Sequence, residues 1–370
     1  MIHVILGTKA QLIKMAPIMI ELQEKQLEWR FIFTGQHQQT IDSLRSDFGL
    51  KNPDVTLHQH KDITGMFSML LWMLKLISMG IFFKSWVWGK NTGPDDIVLV
   101  HGDTFSTLIG ALIARLAGMK VAHVESGLRS FNLRNPFPEE LTRLLVFRLS
   151  HIYFAPGDWA EKNLEKFSGQ SVNTQQNTLL DSVKYSLSQP ASDDLSIPNY
   201  KYALVSLHRF ENIFDSERFI ELIHWLEVAA KKIPLLFILH PPTVKQLEKF
   251  QLTERLGNNP NIELRPRYTH RDFLHLLTHA ELLISDGGSN QEECSYLGKP
   301  CLLARNHTER QEGLTTNVRL CGNMQQLIRC IDNIEKLQSP DQFSQDSPSA
   351  YIVSWLARYV AAVDPESCQP

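Results

Sequence analysis

The stretch at residues 97–156, IVLVHGDTFSTLIGALIARLAGMKVAHVESGLRSFNLRNPFPEELTRLLVFRLSHIYFAP, decides the fold. Two short apolar runs, 97–100 and 121–124, read as strands, and the amphipathic segment between them reads as a helix. Each strand stops in a polar cluster, HGDT after the first and ESGLR after the second. A strand, helix, strand unit of this kind belongs to an open parallel sheet, whose ligand crevice lies outside the carboxyl ends of the strands. Asp103 and Glu125 are therefore expected to project into one crevice. Glu139 and Glu140, opening the next helix after the Pro136-Phe137-Pro138 turn, are within reach of the same place.

The same alternation runs along the rest of the chain. Residues 2–6 form an apolar run closed by Gly7-Thr8, and 11–22 carry Leu12, Met15, Ile18, Met19 and Leu22 at helical spacing. A second strand at 31–33 ends in TGQHQQ. Between 155 and 198 the hydrophobic pattern is lost to Ser, Gln, Asn and Asp, which reads as a last helix and an interdomain connection. The pattern then restarts: a strand at 202–207 ends in HRFEN, a helix follows at 216–232, and a strand at 235–239 ends in His240-Pro241-Pro242. Further on come a strand at 262–265, a helix at 273–278, and a strand at 282–285 ending in DGGSNQEE. The expected fold class is α/β, with two doubly wound Rossmann-like domains facing each other across a cleft. Residues 1–175 are assigned to the first domain and 190–350 to the second, with a C-terminal helix in 351–370 packing back on the first.

Length agrees with this division, because 370 residues exceed what one hydrophobic core usually supports. A formal charge of -3 shows no basic excess, so nucleic acid is not an expected partner. The five cysteines, Cys294, Cys301, Cys321, Cys330 and Cys368, have no metal-ligand spacing and read as reduced thiols. The start, MIHVILGT, enters a strand with no charged leader or cleavage site, and a cytoplasmic location is expected.

Residues 65–89, GMFSMLLWMLKLISMGIFFKSWVWG, are unusually apolar. Lys75 and Lys84 interrupt the run before it reaches the roughly 20 residues of a spanning helix. Two readings stay open: a buried or dimer-facing crossover helix, or an interfacial helix making peripheral membrane contact, with snorkelling lysines and Trp72, Trp86 and Trp88 near the headgroups.

Two constellations carry chemistry. In 285–293, Gly287, Gly288 and Ser289 sit between a strand and a helix start, where exposed N–H groups and the helix dipole favour phosphate. Glu293, one turn into that helix, suits ribose hydroxyls, and Arg310 supplies a cation for a diphosphate. The second constellation, Asp103, Glu125, Glu139 and His208, suits proton removal and leaving-group stabilisation. A salt-bridge network joining the domains is the competing explanation.

Taken in order, GTKAQLIKMAP, TGQH, VHGDTFSTLIGALIARLAGMKVAHVESGLRS, PFPEELTR, HRFEN and DGGSNQEECSYLGKPCLLARNHTERQEG resemble the non-hydrolysing UDP-N-acetylglucosamine 2-epimerase family, of the glycosyltransferase-B fold. The resemblance implies interconversion of UDP-GlcNAc and UDP-ManNAc, by elimination of UDP to a glucal intermediate and re-addition. It puts Asp103, Glu125 and Glu139 on the family's essential carboxylates and His208 on its essential histidine. Lys9, Lys14, Arg143, Glu293 and Arg310, with the loop of Gly287, Gly288 and Ser289, are the implied substrate contacts. Gln36, Gln39, Arg209 and His240 fall on a second site where UDP-GlcNAc acts as activator in bacterial members. It further implies a cytosolic homodimer that needs no metal or NAD and supplies precursors for surface polysaccharides. A hydrolysing epimerase, a glycosyltransferase of the same fold, and a non-catalytic nucleotide-sugar sensor are the alternatives.

The chain departs from the family pattern at three motifs. GTRPE is Gly7-Thr8-Lys9-Ala10-Gln11, HRREN is HRFEN with Phe210, and DSGG is Asp286-Gly287-Gly288-Ser289.

Overall fold

The computed structural model describes residues 1–37, 41–59, 63, 65–133, 138–337, 339, 343 and 345–363. These divide into two compact units: Met1–Ser182 with the C-terminal helix, and Val183–Gln345.

In chain order the first unit contains β1 (Ile2–Leu6), α1 (Lys9–Glu24), β2 (Trp29–Phe33), α2 (Ile41–Asp47), β3 (Val55–Thr56), α3 (Met66–Phe82), α4 (Lys84–Trp88) and β4 (Ile97–His101). It continues through α5 (Phe105–Leu116), β5 (Lys120–Val124), α6 (Glu139–Leu149), β6 (Ile152–Ala155), α7 (Asp158–Lys162) and β7 (Gln170–Asn173) into α8 (Leu179–Ser188). The sheet order is β3-β2-β1-β4-β5-β6-β7, and every pairing is parallel. Helices cover both faces of such a sheet, which is why Ile2–Leu6 and Ile97–His101 are buried along their whole length.

The second unit contains β8 (Ala203–Ser206), α9 (Phe210–Ile213), α10 (Ser216–Ala229), β9 (Leu235–Leu239), α11 (Pro241–Lys249), α12 (Thr253–Gly257), β10 (Ile262–Pro266) and α13 (His270–His279). After them come β11 (Leu282–Ser285), α14 (Gly288–Tyr296), β12 (Cys301–Leu303), β13 (Val318–Leu320) and α15 (Met324–Ile331). Its parallel sheet runs β10-β9-β8-β11-β12-β13 around a core of Val205, Phe219, Phe237 and Ile284.

Helix α16 (Pro348–Val363) returns to the first unit. Ser349 N–H donates to Asp181 Oδ2 at 2.8 Å, Lys25 at the end of α1 donates to Ser354 Oγ at 2.8 Å, and Trp355 meets Phe154 edge-on.

Two segments differ from the sequence reading. The stretch 155–198, read as a last helix and a connection, holds a short helix, α7, and an edge strand, β7, ahead of its last helix, α8. Residues 65–89 form two helices, because the chain breaks at Phe83. Among the described residues no helix is long and apolar enough to cross a membrane.

The strand orders locate the crevice of each sheet. Order reverses between β1 and β4 in the first unit, and between β8 and β11 in the second. Loops leaving adjacent strands in opposite directions open a gap at such a switch point. The first gap is bordered by Gly7-Thr8 and Gly102-Asp103, the second by Leu207-His208 and Asp286-Gly287.

Candidate active site

In the first unit, α1 starts directly at the crevice. Thr8 caps it, accepting from the Gln11 N–H, while Gln11 Oε1 accepts from the Gly7 and Thr8 N–H groups. Gln11 Nε2 then donates to the His101 carbonyl at 2.8 Å and to Thr107 Oγ1 at 3.0 Å. A carboxylate at position 11 has no proton to donate there, so the amide locks the first loop to β4 and α5. Gly7 is required by space: a Cβ would lie 1.9 Å from Ser106 Oγ and 2.0 Å from Thr34 Oγ1.

Lys14 lies on the second turn of α1, buried, and pairs with Glu125 Oε2. Asn177 Nδ2 donates to the same oxygen. Glu125 is also buried and has a φ of 61°, a left-handed conformation that costs a β-unbranched residue about 1–3 kcal/mol and clusters at functional sites. On the neighbouring strand Gly102 has a φ of 68°, turning the chain so that Asp103 leaves β4 toward α6. There Arg143 Nη2 meets Asp103 Oδ2 at 2.5 Å, and Arg143 Nη1 reaches Glu140 Oε2 at 3.4 Å. Burial alone would raise the Glu140 pKa, but the Ser130 N–H, Arg129 and Arg143 outweigh it and hold the carboxyl below its ordinary value.

His123 binds these two loops together. Its Nε2 donates to the Gly102 carbonyl at 2.7 Å, which leaves Nδ1 to accept from Ser126 Oγ–H at 3.0 Å. A neutral ring satisfies both bonds. Complete burial pushes the pKa down to about 4 against the pull of the Gly102 carbonyl, Asp103 and Glu125. Glu139 opens α6 half-buried, next to Glu140.

In the second unit, Asp286 organises the switch point. Its buried carboxylate accepts from the backbone N–H groups of His208 and Arg209 and from Asn212 Nδ2, all near 3 Å. The His208 ring stacks on His240 with centroids 4.4 Å apart, and His240 Nε2 lies 3.1 Å from Ser206 Oγ. Burial lowers the His208 pKa; Asp286 opposes this, and Arg209 and Arg267 reinforce it.

Gly287 and Gly288 lead into α14, with Ser289 in its first turn. A Cβ at Gly287 would approach His208 Cε1 to 3.2 Å, and one at Gly288 would approach Arg310 Nε to 2.9 Å. The loop therefore lies under His208 on one side and Arg310 on the other. Arg310 is held by Glu292 at 2.5 Å, and Arg209 and Arg305 share Glu211 and Glu309 beside it. Helix N–H groups beside a guanidinium group are suited to an anion. Glu293, buried, accepts from Asn290 Nδ2 at 2.9 Å and lies 3.0 Å from His270 Nε2, whose Nδ1 faces Ser186 Oγ.

The structure thus brings Asp103, Glu125, Lys14 and Arg143 together in one unit. It brings His208, Arg209, His240, Gly287, Gly288, Ser289, Glu293 and Arg310 together in the other. Lys9 is the first residue of α1, at the crevice. Gln36 is buried, and its Oε1 accepts from Ser106 N–H and Oγ–H at 3.2 and 2.7 Å, so it ties the loop after β2 to the start of α5. Gln39 lies outside the described residues. Sequence reasoning missed Gln11, His123 and Asn177. Lone polar residues in KVAHV and in QQNT carry no motif, and only their partners reveal a task. Among the described residues no group of three or more His, Cys, Asp or Glu is placed to hold a metal ion.

Comparison with known proteins matches residues 20–353 to the UDP-N-acetylglucosamine 2-epimerase family. A UDP-N-acetylglucosamine 2-epimerase of Methanococcus maripaludis is 33% identical over 354 residues, covering 90% of this chain and 92% of its own. Two solved structures share the fold. The Methanocaldococcus jannaschii UDP-GlcNAc 2-epimerase, in complex with UDP-GlcNAc and UDP, has a TM-score of 0.81 at 28% identity, covering 96% of this chain and 99% of its own. The enzyme from Neisseria meningitidis, bound to UDP-GlcNAc, has a TM-score of 0.82 at 29% identity with the same coverage.

Proposed function

We propose, from the premise that this chain belongs to the UDP-N-acetylglucosamine 2-epimerase family, that it interconverts UDP-GlcNAc and UDP-ManNAc without net hydrolysis. The observation that carries the reading is the placement of Asp103 and Glu125 at the ends of adjacent strands β4 and β5, each beside its own buried cation, Arg143 and Lys14.

The C2 proton of the sugar is weakly acidic, so its removal must be coupled to departure of the C1 substituent. A carboxylate takes the proton, the C–H electrons become the C1–C2 double bond, and the C1–O bond breaks to release UDP. In the return step UDP oxygen re-forms the bond at C1, and a carboxylic acid delivers a proton to the opposite face of C2. Inversion needs a proton-handling group on each face, and Asp103, Glu125 and Glu139 are the residues proposed for that work. Lys14 and Arg143 hold the carboxylates in place and, with Lys9, contact the substrate.

The nucleotide falls to the second unit. Its diphosphate would rest on the N–H groups at Gly287, Gly288 and Ser289 with Arg310, and its ribose hydroxyls would be accepted by Glu293. His208 is proposed to donate to the departing diphosphate. We assign the reaction to a cytoplasmic homodimer supplying ManNAc units for surface polysaccharides.

Product analysis tests the non-hydrolysing course. Incubation with UDP-GlcNAc should give a mixture of the two nucleotide sugars, with little free UDP. Stoichiometric UDP and free sugar would show a hydrolysing enzyme instead.

A further inference from the structure

Helix α3 is apolar on both of its faces. Its inner face carries Trp72 and Leu76, both buried, and Trp72 Nε1 donates to the Thr34 carbonyl at 3.2 Å. Gly80 lets the helix approach α5 closely, because a Cβ there would lie 2.7 Å from Ile113 Cβ. That side already accounts for the packing of the crossover.

Among the described residues the outer face has no such partner. Phe67, Leu70, Leu71, Leu74, Ile81 and Phe82 follow the spacing i, i+3, i+4, i+7, i+14, i+15, and so form one stripe along the helix. They are all exposed, from 49% at Ile81 to 78% at Phe82. The stripe continues into α4 with Phe83 and Trp86, also exposed. A bond from Lys84 Nζ to the Ala117 carbonyl at 2.6 Å ties α4 to the end of α5, where Leu116 is exposed as well. Contiguous apolar surface on this scale marks an interaction site.

Charge identifies the partner. Residues 63–94 contain Lys75, Lys84 and Lys90 and no Asp or Glu. Lys75 borders the stripe, where its methylenes can lie along the apolar surface while the ammonium reaches outward. A second copy seated on this face by two-fold symmetry would set lysines against lysines. A bilayer with anionic headgroups offers both the apolar layer that the stripe needs and the charge opposite to the lysines. With 17 residues interrupted by Lys75, α3 falls short of a span and is suited to lie in the plane of the interface. We infer that the α3–α4 face docks on an anionic lipid surface, carrying the enzyme as a peripheral membrane protein.

Flotation of the full-length protein with vesicles tests this. Vesicles of phosphatidylcholine with phosphatidylglycerol should carry the protein upward, phosphatidylcholine alone should carry much less, and raised salt should weaken the binding. Leu74→Glu with Phe82→Glu should lower binding by about tenfold or more, while circular dichroism and the thermal melt stay unchanged, since both side chains are exposed. Lys75→Glu, a gentler change, should selectively reduce binding to the anionic vesicles. The inference is overturned if the protein stays unbound with both vesicles, or if binding survives both variants. It is equally overturned if sedimentation shows a dimer that the double substitution splits while lipid is ignored.

Discussion

Arg143 closes a 2.5 Å ion pair on Asp103 with one nitrogen and reaches Glu140 at 3.4 Å with another. This fork joins the loop after β4 to the first turn of α6, and it fixes where the Asp103 carboxylate points. A lysine is a single point charge on a flexible stem and cannot serve both carboxylates. Arg143→Lys should therefore lower kcat by about tenfold to a hundredfold with little change in the thermal melt, because the loss is one of orientation. Steady-state kinetics with UDP-GlcNAc checks it.

Lys14 and Glu125 give a stability prediction. Both are buried, so removing one partner strands the other charge away from water. Lys14→Met should cost about 3–5 kcal/mol in denaturant unfolding. The double variant Lys14→Met with Glu125→Leu should recover part of that loss, which would measure the coupling directly. Additive losses would mean that the pair is not a unit.

The neutral ring of His123 predicts how stability changes with pH. Its pKa is lowered from 6.5 to about 4 in the folded chain, so between those values the unfolded chain binds the extra proton. Stability associated with this residue is thus complete above pH 6.5 and falls as pH drops toward 4, by about 3 kcal/mol over the window. Unfolding curves at several pH values should show that slope in the native protein and its loss in His123→Asn. An unchanged slope would place the proton elsewhere.

The phosphate loop is tested by volume. Gly288→Ala puts a Cβ 2.9 Å from Arg310 Nε, and Arg310 is held by Glu292. Calorimetry should find UDP binding weakened by about tenfold, through displacement of the guanidinium. Gly257→Ala, where a Cβ meets nothing within 4 Å, should leave it unchanged.

Much of this arrangement could be read from residues alone. The runs ending in HGDT and ESGLR place Asp103 and Glu125 at strand ends, because fully buried parallel strands are continuously apolar and their ends are sharp. The edge strand β7 escaped the same reasoning, since in QSVN only Val172 is buried. Helix α14 has almost no apolar stripe, because it buries Gln291, Glu292 and Glu293 through hydrogen bonds and ion pairs rather than through hydrophobic side chains. The 65–89 segment left two readings open for the opposite reason: with apolar residues on both faces of α3, periodicity cannot say which face turns inward. His123 and Asn177 do their work through bonds to distant segments, and spacing along the chain does not report those.

The most direct test of the central claim is C2 exchange in D2O. Purified protein incubated with UDP-GlcNAc in D2O should incorporate deuterium at C2 as UDP-ManNAc appears, followed by proton NMR. Asp103→Asn and Glu125→Gln should each slow incorporation by about a hundredfold or more in folded protein, with a lowered thermal melt only in Glu125→Gln, which leaves Lys14 unpaired. Nucleotide-sugar binding with no exchange in the native protein would contradict the account, as would full exchange in both variants.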